Sequence, residues 1–388
     1  MTGRGAAPTA RSVVDRLGVR VDGDAAALLG LALRDNPRRA QLLVSRVLGK
    51  HVPTDPRLVR AAGLLLGGLV GDVLADRPTR VVPTGLLHAA VGGDRASAAA
   101  LHGSAQRAVE PVPGDALVLG FAETATALGH CVAEGLGGAD YLHSTRRPSL
   151  DPPIWVGFTE DHSHATDHLL VPADPAVLRG HRPLVLVDDE LSTGRTALNT
   201  ITALHRRVPR DRYVLAALVD LRPDPEALPA AVRALGARLD VVALAHGRTH
   251  LPVDLPDRAA ALRTELTTGP ARPAEPGGRA SWSRGSAERV ELGALGWPVG
   301  LPVGGRHGFR AADHAALGAA LPELAASVAE HAGLTGEERV LVLGTEELMA
   351  LPLRLAQTLA DLSAVPLEAP TEEREEAIQS GGAHYAES

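Results

Sequence analysis

Between residues 116 and 245 the chain repeats one pattern: a short, largely apolar run, a turn, then a helix-length stretch. The runs are ALVLG (116–120), DYLHS (140–144), PLVLVDD (183–189), YVLAALVDL (213–221) and LDVVALA (239–245). Between them lie ETATALGHCVAEGL, TALNTITALHRR and PEALPAAVRALG, each suited to a helix. Strands that are apolar on both faces must be covered on both faces, and helical crossovers between them make neighbouring strands parallel. The pattern therefore predicts an α/β fold with a five-stranded parallel sheet flanked by helices. Aromatic residues are only 2% of the chain, so its core must be built from Ala, Val and Leu.

Around this unit, a chain of 388 residues has room for two or three domains. Residues 1–29 read as an extension and 30–266 as the main domain. The first 80 residues look mostly helical, with DAAALLGLALR and PRLVRAAGLLLGGLVGDVLAD as the helices. The segment 267–287 is a linker rich in Pro, Gly, Ser and Arg, 288–370 a smaller α/β domain, and 371–388 a polar tail. RVLVLGTEELMALPLRLAQTL in the second region echoes ALVLGFAETATALGHCVAEGL in the first, with Glu347 matching Glu123, as a weak internal repeat would.

Several functions are excluded by composition. A net charge of −7 argues against nucleic-acid binding. The lone Cys131 forbids an internal disulfide and fits a reducing, cytoplasmic setting. The N-terminus has no apolar signal region, and the run AAGLLLGGLVG (61–71) is too short for a bilayer, which needs about 20 residues. The chain holds a single lysine, Lys50, among many arginines. An ammonium is a compact charge that a guanidinium does not replace, which makes Lys50 a candidate functional residue.

The stretch LVLVDDELSTGRT (184–196) carries the chemistry. A buried strand ending in Asp188 and Asp189 presents two carboxylates at the carboxyl edge of the sheet, where open α/β sheets bind ligands. Ser192, Thr193, Gly194, Arg195 and Thr196 then lead into a helix N-terminus, whose unpaired amides and neighbouring hydroxyls suit a phosphate. Acceptors for two hydroxyls and donors for a phosphate match a ribose 5-phosphate. A nucleotide-hydrolase strand also ends in acids, but the chain has no Gly-x-x-x-x-Gly-Lys-Ser/Thr loop.

This motif resembles the phosphoribosyl pyrophosphate (PRPP) signature of type I phosphoribosyltransferases. Together with VSRVLGKHVPTDP, YLHSTRRP, FTEDHSHATDH and LGTEELMALP, it is similar to a bacterial family found near tellurium-resistance genes. In that family an orotate-phosphoribosyltransferase-like domain with an N-terminal hood precedes a TRSP domain. The Thr-Arg-Ser-Pro run of the second domain is absent here, its place taken by PLEAPTEERE. The resemblance implies Mg²⁺-PRPP as substrate complex, a nucleobase-like acceptor, release of pyrophosphate, and a homodimer by analogy. It implies that Asp188 and Asp189 take the ribose hydroxyls, directly or through Mg²⁺-bound water, and that 192–196 holds the 5′-phosphate. It further implies that the turn Gly120, Phe121, Ala122, Glu123, Thr124 holds pyrophosphate through its amides. Glu123 is odd beside a pyrophosphate: it would hold a metal or a nearby arginine or, the reading favoured, cap the following helix. Arg146 and Arg147 in STRRP would neutralise the leaving group, unless they are solvated turn arginines.

EDHSHATDH (160–168) falls where such folds place a mobile catalytic loop. His162 and His164, with Lys50 of the hood, would then close over pyrophosphate. The same run bears comparison with a zinc-hydrolase ligand set, although its last pair, Asp167 and His168, comes one residue late, and with a structural histidine cluster. A PRPP-binding regulator without catalysis is the alternative that shares the main site, and a third reading makes the C-terminal region the working part.

Overall fold

The computed structural model describes residues 15–33, 41–111, 115–148, 151–158, 168–268, 288–336 and 339–362. Its strands in chain order are β1 (Arg20–Val21), β2 (Leu29–Leu33), β3 (Gln41–Ser45), β4 (Leu117–Gly120), β5 (Asp140–His143) and β6 (Val156–Phe158). They continue with β7 (His168–Leu170), β8 (Leu184–Leu191), β9 (Arg212–Asp220), β10 (Arg238–His246) and β11 (Thr249–His250). The five expected strands form one sheet in the order β10-β9-β8-β4-β5, every neighbouring pair parallel.

The period-2 alternation of the strands sorts their side chains into two cores. Val118, Val185, Val187, Val214 and Ala216 face one side, where they meet Leu66, Leu69 and Val70 of the Pro56–Leu74 helix and Leu128 and Val132 of the Thr126–Gly135 helix. Leu117, Leu119, Leu184, Leu186 and Leu215 face the other, against Ile201 and Leu204 of the Arg195–Arg207 helix and Val232 of the Ala227–Ala234 helix. The Pro56–Leu74 helix begins where Asp55 accepts the Arg57 amide at 2.9 Å and proline takes the first position, both ordinary start signals.

Two expectations fail. The N-terminal region is not mostly helical: after one short turn of helix (Ala25–Leu28), β2 and β3 pair antiparallel from Leu29↔Ser45 to Leu33↔Gln41. Leu29, Leu31 and Leu33 alternate with Gly30 and Ala32, a strand period hidden beneath helix-forming residue types. The C-terminal region is not α/β in its described residues, which contain the Ala311–His331 and Ala350–Leu362 helices and no strand. LVLG at 341–344 therefore does not repeat β4, and Leu341 and Leu343 are 61% and 75% exposed. With no neighbouring strand to pair with, an apolar run has no ladder to join.

The C-terminal region packs on the first. Leu301, Phe309, Leu317, Leu321 and Leu351 share one apolar cluster with the helices that cover the sheet. Residues 305–309 run antiparallel along the outer edge of β5: Tyr141 and Phe309 exchange backbone hydrogen bonds at 2.8 Å, and the His143 amide donates to the Gly305 carbonyl at 3.1 Å. No described helix is long and apolar enough to cross a membrane.

Candidate active site

The chain leaves β4 outward to β5, then returns to place β8 on the other side of β4. Such a reversal opens a crevice at the carboxyl ends of the two strands. Gly120 pairs with Val187, and the Phe121 amide donates to the Val187 carbonyl at 3.0 Å, so the turn after β4 and the acids at the end of β8 emerge side by side.

Asp188 and Asp189 follow directly, both half-buried. The Asp189 amide donates to Asp188 Oδ1 at 2.9 Å. Burial, and then the charge of Asp189, push the Asp188 carboxyl well above the ordinary carboxylate range. Such a pair has excess negative charge to offset, and its hard oxygens suit Mg²⁺.

Gly194 caps the Arg195–Arg207 helix in the left-handed region, φ +75°. A Cβ there would also lie 2.8 Å from Leu228 Cδ2, so conformation and space both require glycine. Ser192, Thr193 and Arg195 are exposed and Thr196 is half-buried around this helix start. The Arg195 amide reaches Thr193 Oγ1 at 3.4 Å. Asp220 and Arg222, which were not anticipated, support the loop. Leu191 pairs with Asp220, the Leu221 amide donates to the Leu191 carbonyl at 2.8 Å, and Arg222 grips Asp220 at 2.7 and 2.9 Å in a buried pair. An acid ending a strand, with arginine two residues on, was the signal available.

The 120–124 turn differs from its expected use in three ways. A Cβ on Gly120 would meet Tyr141 Oη at 2.6 Å and the Ala125 carbonyl at 2.7 Å, so this glycine admits the protein's own atoms. Phe121 and Ala122 are buried with their amides already bonded, to the Val187 carbonyl and to Ser144 Oγ. The open side of the turn is Glu123 and Thr124, both half-buried. The Glu123 side chain does not cap the Thr126–Gly135 helix; its carbonyl accepts from Thr126 Oγ1 at 3.1 Å.

Lys50, 74 residues away in sequence, donates from Nζ to Thr124 Oγ1 at 2.6 Å. It stands in the loop between β3 and the Pro56–Leu74 helix, so the hood delivers the chain's only lysine to this turn. Arg147 pairs with Glu346 of the C-terminal region, and Arg146 lies beside it in the same turn after β5. His162 and His164 lie outside the described residues. The strands flanking them, β6 and β7, pair antiparallel with Phe158 opposite His168. This hairpin seats on the 120–124 turn, with Phe121 and Phe158 ring centroids 6.1 Å apart. His168 is buried, stacked on Phe158 at 5.2 Å and bonded to Ser144 Oγ at 2.8 Å. Among the described residues no group of three or more His, Cys, Asp or Glu could hold a metal ion; His162, His164 and Asp167 of the zinc-hydrolase reading lie outside them.

Residues 28–248 match the family model described as phosphoribosyl transferase, and 303–373 match that of the TRSP domain, C-terminal to this transferase. The chain belongs to the phosphoribosyltransferase family, with a TRSP region despite lacking the Thr-Arg-Ser-Pro run. Among solved structures, orotate phosphoribosyltransferase from Aeropyrum pernix is 18% identical over 60% of this chain and 90% of its own, TM-score 0.27. Giardia lamblia adenine phosphoribosyltransferase complexed with 9-deazaadenine is 22% identical over 36% and 78%, TM-score 0.26. Trypanosoma brucei adenine phosphoribosyltransferase in complex with AMP, pyrophosphate and ribose-5-phosphate is 14% identical over 36% and 64%, TM-score 0.27. At such scores the assignment rests on the family match. A search of curated proteins finds no match.

Proposed function

We propose that this chain transfers phosphoribose from Mg²⁺-PRPP to a nitrogenous, nucleobase-like acceptor and releases pyrophosphate. The observation that carries this reading is the adjacency, across the β4–β8 crevice, of the Asp188–Asp189 pair with its phosphate-sized loop and the 120–124 turn with Lys50 beside it. Asp188 and Asp189 accept the ribose hydroxyls. The first-turn amides of the Arg195–Arg207 helix, with Ser192, Thr193 and Thr196, hold the 5′-phosphate. Glu123 and Thr124 line the pyrophosphate side, where Lys50 and Arg147 supply positive charge. Mg²⁺, held at Asp188 and Asp189 directly or through water, would neutralise charge on the ribose and pyrophosphate oxygens.

In the reaction the bond from C1 of the ribose to the pyrophosphate oxygen breaks with its electron pair on oxygen. The acceptor nitrogen forms the new bond at C1 and loses its proton. Fixed cations aimed at the departing oxygens lower the barrier because that charge is larger in the transition state than before it, an effect of about 3 kcal/mol per well-placed donor. His162 and His164 are our candidates for closing over the leaving group.

Calorimetric titration of PRPP with and without Mg²⁺ tests the proposal on the wild type, Asp188→Asn and Asp189→Asn. Magnesium-dependent binding that disappears in the variants is the expected result. No binding by the wild type refutes it.

A further inference from the structure

The turn after β5 is tied to the C-terminal region by buried polar contacts. Glu347 is 3% exposed. Its Oε1 accepts from Thr145 Oγ1 at 2.6 Å, and its Oε2 accepts from Arg306 Nε at 2.6 Å. Thr145 Oγ1 accepts in turn from the Arg147 amide at 3.1 Å. One residue earlier, Ser144 donates its amide to the Gly120 carbonyl at 3.0 Å and accepts the Ala122 amide on its hydroxyl at 2.9 Å. A continuous chain of hydrogen bonds therefore runs from Arg306 through Glu347 and Thr145 to the Arg147 backbone. Ser144, which precedes Thr145, carries it to the 120–124 turn.

A carboxylate this deeply buried is costly unless fully compensated, and here a guanidinium and a hydroxyl compensate it. Replacing such a pair by apolar residues commonly leaves stability unchanged or improved, so packing alone gives no reason for it. The adjacent Glu346 is held at φ +52°, a conformation uncommon for a residue with a side chain, and its carboxylate reaches Arg147. Local strain of this kind marks segments whose geometry matters.

We propose that Glu347 is a positioning residue for the pyrophosphate half of the site. It fixes the 144–147 turn through Thr145, and that turn fixes 120–124 through Ser144. The C-terminal region thereby completes the anion-binding surface of the first. This rests on the PRPP reading of the site, and the acidic pair and 5′-phosphate loop lie outside the chain of contacts, so only one half-site should respond.

The test uses the full-length protein and two probes, Mg²⁺-pyrophosphate and ribose 5-phosphate, titrated separately into wild type, Glu347→Gln, Thr145→Val and Thr145→Ser. Loss of a hydrogen bond to a charged group predicts pyrophosphate binding weakened about tenfold or more in Glu347→Gln and Thr145→Val. Ribose 5-phosphate affinity should stay within about twofold, and Thr145→Ser should keep both. If Glu347→Gln does not fold, Thr145→Val carries the test, since it removes one hydroxyl and keeps the shape. Unchanged pyrophosphate affinity in the folded variants, or parallel loss of both probes, overturns the proposal. Binding of neither probe by the wild type overturns instead the PRPP reading on which it stands.

Discussion

Asp188 ends a buried strand beside a second carboxylate, and both circumstances raise its pKa in the folded protein. A group whose folded pKa lies above its unfolded value stabilises the fold below the unfolded pKa, near 3.8, and that contribution is lost as pH rises. Above the unfolded pKa, neutral pH included, this carboxyl therefore costs stability, the expected signature of a residue kept for binding. Asp188→Asn should raise the urea midpoint at pH 7 while abolishing magnesium-dependent PRPP binding. A lowered midpoint would show that the carboxylate is needed for the fold instead. This residue was legible in the sequence because two acids closing an apolar run have few structural uses. Glu347 was noticed only as a partner for Glu123 in a repeat that the structure does not contain. Its real partner, Thr145, is 202 residues away, and no local pattern announces such a contact.

At the level of elements, the five strands of the sheet could be read directly, since each is an apolar run bounded by turn residues and each lies buried on both faces. The β2–β3 hairpin could not, because Ala and Leu favour helix and their strand period is short. The loop after that hairpin brings Lys50, a residue of the proposed site, to Thr124. Lys50→Met keeps the length of the side chain and removes its charge. We expect PRPP affinity to fall about tenfold, about 1.4 kcal/mol, with a shallower dependence on salt, as calorimetry at two ionic strengths would show. Equal affinity in the variant would make the Lys50–Thr124 contact a surface hydrogen bond only.

Across the whole molecule, the seam between the two regions is apolar and aromatic but carries buried histidines. His130 lies against Tyr141, Phe309 and His314, with His143 on the same strand edge as Tyr141. Burial lowers His143 and His102 to about 4 and His130 well below its usual value. Groups with depressed folded pKa values stabilise fully above the unfolded value near 6.5 and lose that contribution as pH falls toward 4. Each of the first two accounts for roughly 3 kcal/mol over that window. The urea midpoint should thus drop steeply between pH 7 and pH 5, before most carboxylates titrate, and a flat profile would contradict the burial of these rings. Removal of residues 288–388 would strip Leu301, Phe309, Leu317, Leu321 and Leu351 from the shared core and bare the β5 edge. Such a truncated chain should be insoluble or markedly less stable, whereas a soluble, cooperatively melting product would show the first region to be self-sufficient. The covering of β5 by residues 305–309 also sets an order in time. A ribosome releases the chain from the N-terminus, and Tyr141 must wait for Phe309, Thr145 for Glu347 and Glu134 for Arg354. The acids and the 191–196 loop can form early from contacts within the first region, but the 144–147 turn, on the side proposed for pyrophosphate, stays unfinished until Glu347 has emerged. A nascent chain that stops short of Glu347 would then lack the contacts that order the 144–147 turn, so the two sides of the proposed site would not form together.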